Sequence, residues 1–580
     1  MTVRDDDIRI RPGRSRDAGR GTGRRAQSLA AQVRRAAAKA GHTARRPSRG
    51  GGTGRHGRGR VARLKARLPA NARRVVIKAR IVRHKGVGFR AAPLARHLSY
   101  LQRDGVTRDG RDASMFDARS DAADGRAFAQ RCEDDRHHFR FIVSPEDANR
   151  LEDLRSFTRE LMDDMARDLE TRLDWVAVDH WNTDNPHIHV LVRGIDQTGA
   201  DLVIDRDYIS EGLRTRAAER VTLELGPRSE LEIQTALEQE VGADRWTSLD
   251  RRLQNMAAGI DDLVDLRPGS GADQDRLLLI GRAQKLERMG LADKKGPAIW
   301  SIRPEAEQTL RDLSIRGDII KTMHRAMSEA GHRIEPSRLA VHDTRPEDPI
   351  IGRLVARGLY DELQGTAYAV IDGIDGRTHH LRFEDLEYTG DAKTGALVET
   401  RIWQSARGEP RLSLATRCDL TLAEQIHAPG ATWLDRQLVA RKPLAMADGF
   451  GAEVRDAMAA RARHLESAGL AQRRGQGYLF ARDLIETLKA SELGQTIDAI
   501  GRRTGLAHQP SAPGDYVSGI YRERVMLASG RFAMIDGGLG FQLVPWRPAL
   551  DHHLGQHITG TMMPGGGVDW SLGRGRGLGL

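Results

Sequence analysis

The chain has 580 residues, of which 30% are charged and 5% aromatic, with a formal net charge of +12. That length provides for several domains with separate cores, and two cysteines, Cys132 and Cys418, exclude a disulfide framework and fit a reducing compartment. No apolar run approaches the roughly 20 residues that span a bilayer and the N-terminus has no apolar signal segment, so a cytoplasmic location is expected.

The charge sits at one end. Residues 1–70 hold 18 Arg and 2 Lys against 4 Asp, while the other 510 residues carry 72 basic and 76 acidic side chains. Arg24-Arg25, Arg34-Arg35, Arg45-Arg46 and Gly50-Gly51-Gly52 cannot build a core. Residues 1–70 are expected to form a disordered basic arm, with a helix near 26–40. A flexible polycation suits a phosphate backbone through counterion release.

Residues 74–82, rich in Val and Ile, predict the first strand. Pro93 then opens a helix that Asp104-Gly105 stops. Leu94, Leu98 and Leu101 share one stripe at about 100° per residue, and Tyr100 falls outside it beside Arg96, Arg103 and Arg108. A tyrosine hydroxyl can attack a phosphodiester and retain the DNA end covalently. Residues 136–143 predict a second strand. Ser144 is suited to cap a following helix with Pro145 at its first position, and the amides there would seat a phosphate. Leu151, Leu154, Phe157, Leu161, Met165 and Leu169 continue that helix at helical spacing. Two short apolar runs, 175–178 and 190–192, flank Asn-Pro turn chemistry and predict adjacent strands. His187 and His189 are two apart on one strand and share a face. His180 ends the preceding strand on the face of Val176 and Val178. Three neutral imidazoles converging there would hold a divalent metal with a position open to substrate.

The stretch His180-Trp-Asn-Thr-Asp-Asn-Pro-His187-Ile-His189 resembles the metal motif of HUH-type conjugative relaxases, in the mobilisation-nuclease class that includes the T-DNA border endonuclease. Tyr100, in a helix ending Arg-Asp-Gly, resembles their nucleophile motif. Ser144, in Phe-Ile-Val-Ser-Pro-Glu-Asp, resembles their serine motif for the DNA 3′ side. Stretches 175–194 and 207–228 are similar to the branch with a long C-terminal region of unknown function. The resemblance implies that His180, His187 and His189 hold Mg²⁺ or Mn²⁺, with imidazoles favouring a transition ion. It also implies attack by Tyr100 on the scissile phosphate, giving a 5′-phosphotyrosine link that later rejoins strands without a nucleotide cofactor. Implied partners are single-stranded and duplex DNA at an origin of transfer, a type IV secretion coupling protein and accessory transfer proteins. The chain departs from the family pattern at Asn182, where an aspartate is usual. Asp179 and Asp184 are nearby, and which acid assists stays open.

The expected fold is an α/β (α+β) multidomain chain. A relaxase-type sandwich with a mainly antiparallel central sheet occupies 71–228. A helical, winged-helix-like DNA-binding region covers 229–335, and a small β-barrel-like module 345–410. A second winged-helix-like unit and a Gly/Arg-rich tail fill 411–580. The winged units rest on an internal echo: Arg282-Ala283, Leu286-Glu287, Gly290-Leu291-Ala292 and Lys294-Lys295-Gly296 match Arg461-Ala462, Leu465-Glu466, Gly469-Leu470-Ala471 and Arg473-Arg474-Gly475. Lys294, Lys295, Arg473 and Arg474 are the expected duplex contacts, beside Ser144, Arg96 and Arg103 on the nicked strand. His379 and His380 alternate faces and are expected to pack rather than ligate. No phosphate-binding loop of the Walker type occurs, so no helicase activity is expected. The competing readings are a winged-helix DNA-binding regulator with a vestigial metal site, and a rolling-circle replication initiator. In the families concerned, a tyrosine placed before the histidines favours the relaxase.

Overall fold

A computed structural model describes residues 58–59, 68–69, 71–84, 92–104, 107–108, 111, 113–181, 185–258, 263–268, 275–332, 335–405 and 408–571, without the side chains of Ala92, Pro93, Arg96, Arg103, Asp104 and His552. The chain is mixed α/β and divides into two compact units, Met1–Thr322 and Met323–Leu580. Among the described residues no helix is long and apolar enough to cross a membrane.

In the first unit, β1 (Val75–Arg83), β2 (His137–Pro145), β3 (Trp175–His180) and β4 (His187–Arg193) form an antiparallel sheet in the order β1-β2-β4-β3. Helices α1 (Ala92–Asp104) and α2 (Gly125–Arg131) connect β1 to β2, α3 (Leu154–Asp168) connects β2 to β3, and α4 (Leu213–Leu225) follows β4. Strand alternation gives the sheet two faces. Ile77, Phe141, Val190 and Ala177 on one face pack with Phe157, Leu161 and Met165 of α3 and with Ala217 and Val221 of α4. The opposite face carries the histidines. The expected stripe of α1 is buried, with Leu94, Leu98 and Leu101 each 1% exposed. Ahead of β1, Arg58 bridges to Ile204 and pairs with Asp196. The helix expected near 26–40 lies outside the described residues.

The helix after β2 starts later than its sequence suggests. Ser144 and Pro145 are the last residues of β2, and Ser144 pairs with Val76. The cap is Asp153, whose carboxylate accepts from the amides of Arg155 and Ser156. Asp147 is drawn instead to the buried Arg73, 2.9 Å away, and Ser144 is held in the sheet by its pairing with Val76.

After α4 come α5 (Glu230–Val241), α6 (Ser248–Ala257), β5 (Leu263–Asp265), α7 (Arg276–Arg288), the hairpin β6 (Ala292–Gly296) and β7 (Ile299–Ile302), and the long α8 (Ala306–Glu329). The three strands order as β5-β7-β6. Both lysines lie on β6, and Pro297-Ala298 make the turn, with Ala298 at φ 55°.

The second unit begins with β8 (Leu339–Val341), followed by β9 (Ile351–Asp361), β10 (Thr366–Gly373), β11 (Thr378–Phe383), a 3₁₀ turn (Leu386–Thr389), β12 (Leu397–Gln404) and β13 (Pro410–Cys418). It continues through α9 (Leu422–His427), α10 (Trp433–Leu438), α11 (Phe450–Ser467), the hairpin β14 (Ala471–Arg474) and β15 (Gly477–Phe480), and α12 (Leu484–Thr504). A second sheet closes the unit: β16 (Tyr516–Leu527), β17 (Gly530–Asp536), β18 (Phe541–Pro545), a 3₁₀ turn (Pro548–His553), β19 (His557–Met562) and β20 (Val568–Trp570). The sequence reading missed this sheet and treated its end as tail. Met563–Gly567 is the β19–β20 turn, with Gly566 at φ 78°, and only residues beyond 571 lie outside the described ones.

The echo extends to the whole C-terminal region. Both sheets contain a three-strand meander, a 3₁₀ turn, and a fourth strand that returns to pair with the first: β13-β12-β9-β10-β11-β8, where β8 adds in parallel to β11, and β20-β19-β16-β17-β18. Ala369-Val-Ile-Asp-Gly373 matches Ala533-Met-Ile-Asp-Gly537. A Cβ on Gly352 would lie 2.2 Å from the Asp372 carbonyl, and one on Gly519 would lie 2.3 Å from that of Asp536, so the same cross-strand approach requires glycine in each copy. The helical parts repeat too. Thr247 and Asp250 form the capping box of α6, and Thr432 and Asp435 that of α10. Arg282 of α7 and Arg461 of α11, both with fully buried side chains, reach these aspartates at 2.7 and 2.8 Å. Arg282 also donates to the carbonyls of Ala243 and Arg245, and Arg461 to those of Ala428 and Gly430.

Each arginine thus ties the end of one helix to the start of the next. Removing the aspartate strands a buried guanidinium. Asp250→Ala and Asp435→Ala should each destabilise their own unit by about 3–5 kcal/mol, which urea unfolding followed by far-UV circular dichroism measures.

Candidate metal centre and nuclease site

The β3–β4 register builds the centre. His180 stands opposite His187, and Val178 opposite His189. Directly opposed residues in an antiparallel pair share a face, so the period of two on β4 adds His189 to the side of His180. The rings lie 5.3 Å (His180–His187), 4.6 Å (His180–His189) and 5.0 Å (His187–His189) apart, centre to centre. Each histidine offers a ring nitrogen within 4.8 Å of the others, and all three are buried.

Backbone carbonyls hold two of the rings. His180 Nε2 donates to Leu101 O at 2.8 Å, and His187 Nδ1 donates to Asn185 O at 3.0 Å. A carbonyl only accepts, so each of these nitrogens bears the proton and the other keeps a lone pair. His187 Nε2 faces His189 Nε2 at 3.2 Å. Two nitrogens bound to one ion at roughly 2.0–2.1 Å stand about 3.3 Å apart in tetrahedral geometry, and carbonyl-anchored outer nitrogens are the usual support of metal-bound imidazoles. The residues present fit a divalent metal.

Leu101 is the neighbour of Tyr100 in α1. One hydrogen bond therefore connects the histidine centre to the helix that presents the tyrosine, which is half-buried. Ser144 ends β2 on the histidine side of the sheet, since Ile142 pairs with His189. Its hydroxyl donates to Pro186 O at 3.4 Å. Asp179 points to the other side, with its oxygens taken by Arg155 Nε at 3.0 Å and Trp181 Nε1 at 2.8 Å. Asn182 and Asp184, and the side chains of Arg96 and Arg103, lie outside the described residues. Arg108 donates to the carbonyls of Asn149, Leu151 and Glu152 and stacks on Trp181. Lys294, Lys295, Arg473 and Arg474 are exposed on β6 and β14, away in the chain from the histidines.

Sequence reasoning missed a polar chain on the same face. Arg140 Nε donates to His138 Nε2 at 3.0 Å, His138 Nδ1 then donates to His84 Nε2 at 2.8 Å, and His84 Nδ1 donates to Asp135 O at 2.5 Å. Arg140 is thereby oriented beside Leu191, and Arg80 and Lys78 follow across β1 on that face. The i, i+2 spacing of His138 and Arg140 was the available signal. Burial first, and Arg140 second, push the His138 pKa down to about 2.

Residues 104–223 match the family described as Relaxase: MobA/VirD2-like, nuclease domain. The stretch contains Ser144 and the three histidines and begins four residues after Tyr100. This part of the chain is a nuclease domain of the relaxase class. The chain as a whole belongs to the family described as Protein of unknown function (DUF3363), matched over 279–411 and 403–579, together more than half its length. No curated protein and no solved structure gives a significant match.

Because His138 is neutral when folded and protonates freely when unfolded, the unfolded chain binds more protons below about pH 6.5. Stability is full above that pH and falls as pH drops, by about 2 kcal/mol at pH 5. His138→Gln should flatten the dependence of unfolding free energy on pH between 6.5 and 4 by one proton, as read from urea denaturation across that range.

Proposed function

We propose that the protein is a conjugative relaxase that nicks single-stranded DNA at an origin of transfer through Tyr100. The observation that carries this is the hydrogen bond from His180 to the Leu101 carbonyl, because it fixes a three-imidazole centre against the residue next to the tyrosine. A bound Mn²⁺ or Mg²⁺ would polarise the scissile phosphate and offset its growing charge. His180, His187 and His189 would hold it. Tyr100 loses its phenolic proton and its oxygen bonds to phosphorus. The bond from phosphorus to the 3′ oxygen breaks, and that oxygen leaves as a hydroxyl once protonated. The 5′ end stays on Tyr100 as a phosphotyrosine, and attack by a 3′ hydroxyl reverses the step. One phosphodiester is exchanged for another, so no nucleotide is consumed. Lys78, Arg80 and Arg140 supply positive charge on the face that the strand would cross, and Ser144 and α1 arginines Arg96 and Arg103 steady its phosphates.

The C-terminal modules serve duplex DNA in this reading. The element order helix, helix, strand, helix, hairpin over 230–302, with strand order β5-β7-β6, supports a winged helix. The 422–480 region repeats its helices and hairpin, and in this reading the six-strand and five-strand sheets are small barrel-like modules. The exposed pairs Lys294-Lys295 and Arg473-Arg474 stand on the wings. A type IV secretion coupling protein and accessory transfer proteins complete the assembly.

Incubating the protein with Mn²⁺ and single-stranded fragments of the DNA that encodes it should give a covalent adduct on denaturing gels. Mass spectrometry should place the nucleotide on Tyr100, and Tyr100→Phe, His187→Ala or EDTA should abolish it. An adduct on another tyrosine keeps the reaction and removes Tyr100 from it. Duplex binding without any adduct favours the DNA-binding regulator.

The wings make a separate expectation. Replacing Lys294 and Lys295, or Arg473 and Arg474, by glutamine should weaken duplex binding and flatten the slope of log affinity against log salt by roughly 0.9 for each phosphate that is no longer neutralised. Fluorescence anisotropy over a salt series measures it.

A further inference from the structure

The helical repeat fills one strand position in its first copy and leaves it open in its second. In the first copy, the chain between α6 and α7 passes through β5, which pairs with the outer edge of β7. Val264 stands opposite Trp300, and Val264 and Leu266 are fully buried. In the second copy, the matching stretch between α10 and α11, residues 439–449, goes elsewhere. Its Leu444 and Met446 pack with Ile374, just after β10, and with Leu397 of β12. Ala447 N donates to Ile374 O at 2.9 Å. The hairpin β14–β15 is therefore two-stranded, and among the described residues no strand pairs with the outer edge of β15.

Hairpin geometry identifies the groups left over. Gly475, at φ 57°, and Gln476 make a two-residue turn between Arg474 and Gly477. That closing pair is hydrogen-bonded and pairs alternate along the ladder, so the N–H and C=O of Tyr478 and of Phe480 face away from β14. Tyr478 holds the place of Trp300, since Arg473 opposite Tyr478 matches Lys294 opposite Trp300. Gly477 and Leu479 are exposed, Leu479 at 52%, so the edge is open to solvent. We infer that β15 takes up an extended acidic segment of a partner protein as a third strand, antiparallel as β5 is on β7. Edge addition draws affinity from main-chain hydrogen bonds and selectivity from alternate side chains. The strand that fills the first copy shows the chemistry: Asp261-Asp262-Leu263-Val264-Asp265 sets aliphatic residues among acids. The β14–β15 hairpin carries Arg473 and Arg474 and no acid, which favours an acidic strand and sets aside the chain's own basic ends, residues 1–70 and 572–580. A second copy could supply its β5 only by withdrawing Val264 and Leu266 from its own core. The inference stands apart from the reading of the metal centre.

The test uses the full chain and a fluorescein-labelled peptide, Asp-Asp-Leu-Val-Asp-Leu, the sequence of residues 261–266. Anisotropy should show saturable binding, and a version with lysine at each aspartate should bind more weakly. Hydrogen exchange read by mass spectrometry should find the Tyr478 and Phe480 amides fast in the free chain and slowed by the peptide. Tyr478→Pro removes one outward donor at a position where an edge strand accepts proline. It should weaken binding about tenfold, the worth of one main-chain hydrogen bond, while Tyr478→Phe keeps the donor and should bind as its parent does. Exchange at residues 478–480 that is already slow without peptide, or that the peptide leaves unchanged, overturns the inference. So does a chain that sediments as a dimer and becomes a monomer on Tyr478→Pro, because a second copy is then the occupant. The exchange measurement needs no substitution, so a variant that fails to fold leaves the inference testable.

Discussion

The antiparallel register between β3 and β4 is the constraint on which the site depends. Setting His180 opposite His187 makes the strand period place His189 on the same side, and three imidazoles meet without help from distant loops. A slip of one residue would turn His187 and His189 into the hydrophobic layer over α3 and expose Ile188 and Val190. The buried cluster that includes Ile188, Val190 and Val192 penalises that slip heavily. The packing of the core and the convergence of the histidines are therefore one condition. The Leu101 carbonyl extends it to α1: moving the helix would break the hydrogen bond that sets the tautomer of His180.

The C-terminal region obeys a different economy. Burying an arginine beside an aspartate contributes little net stability over an apolar pair, because desolvation offsets attraction. What Arg282 and Arg461 provide is direction. Each guanidinium satisfies two loop carbonyls and both oxygens of a capping aspartate, so the approach of three elements is specified at one point. The same pattern in both copies marks it as part of the module rather than an accident of one surface.

The strands flanking the histidines, the apolar stripe of α1 and the repeated helical hairpins were all legible, because each is written in a period of two or about four. The start of α3 was not. Ser144-Pro145 and Asp153-Leu154 both satisfy local capping preferences, and the choice is made by Arg73 and the pairing of Ser144 with Val76, which are distant in sequence. The second sheet was hidden for a related reason. Its strands contain Arg522, Arg524 and Arg531, whose ion pairs with Asp536, Asp391 and Asp419 appear only after folding, and glycines suggested tail where they make turns. The link from His138 to Arg140 was within reach, but the partner that completes it, His84, lies on another strand.

Duplication also has a consequence for how the chain reaches its fold. Two sheets of one topology, carried on the same polypeptide, offer each other plausible wrong partners: β10 and β17 share Ala-x-Ile-Asp-Gly and could each be enticed to the neighbour of the other. Their edges differ where a mistake would be costly. Leu543 pairs with Met534 where His380 pairs with Val370, and Pro545 pairs with Phe532 where Arg382 pairs with Tyr368, so an exchange would set an aliphatic chain beside the Tyr368 ring or a charge where a proline ends the strand. Divergence between the copies thus acts as proofreading during assembly, and a consensus made by equalising them would trade that safeguard for entangled products.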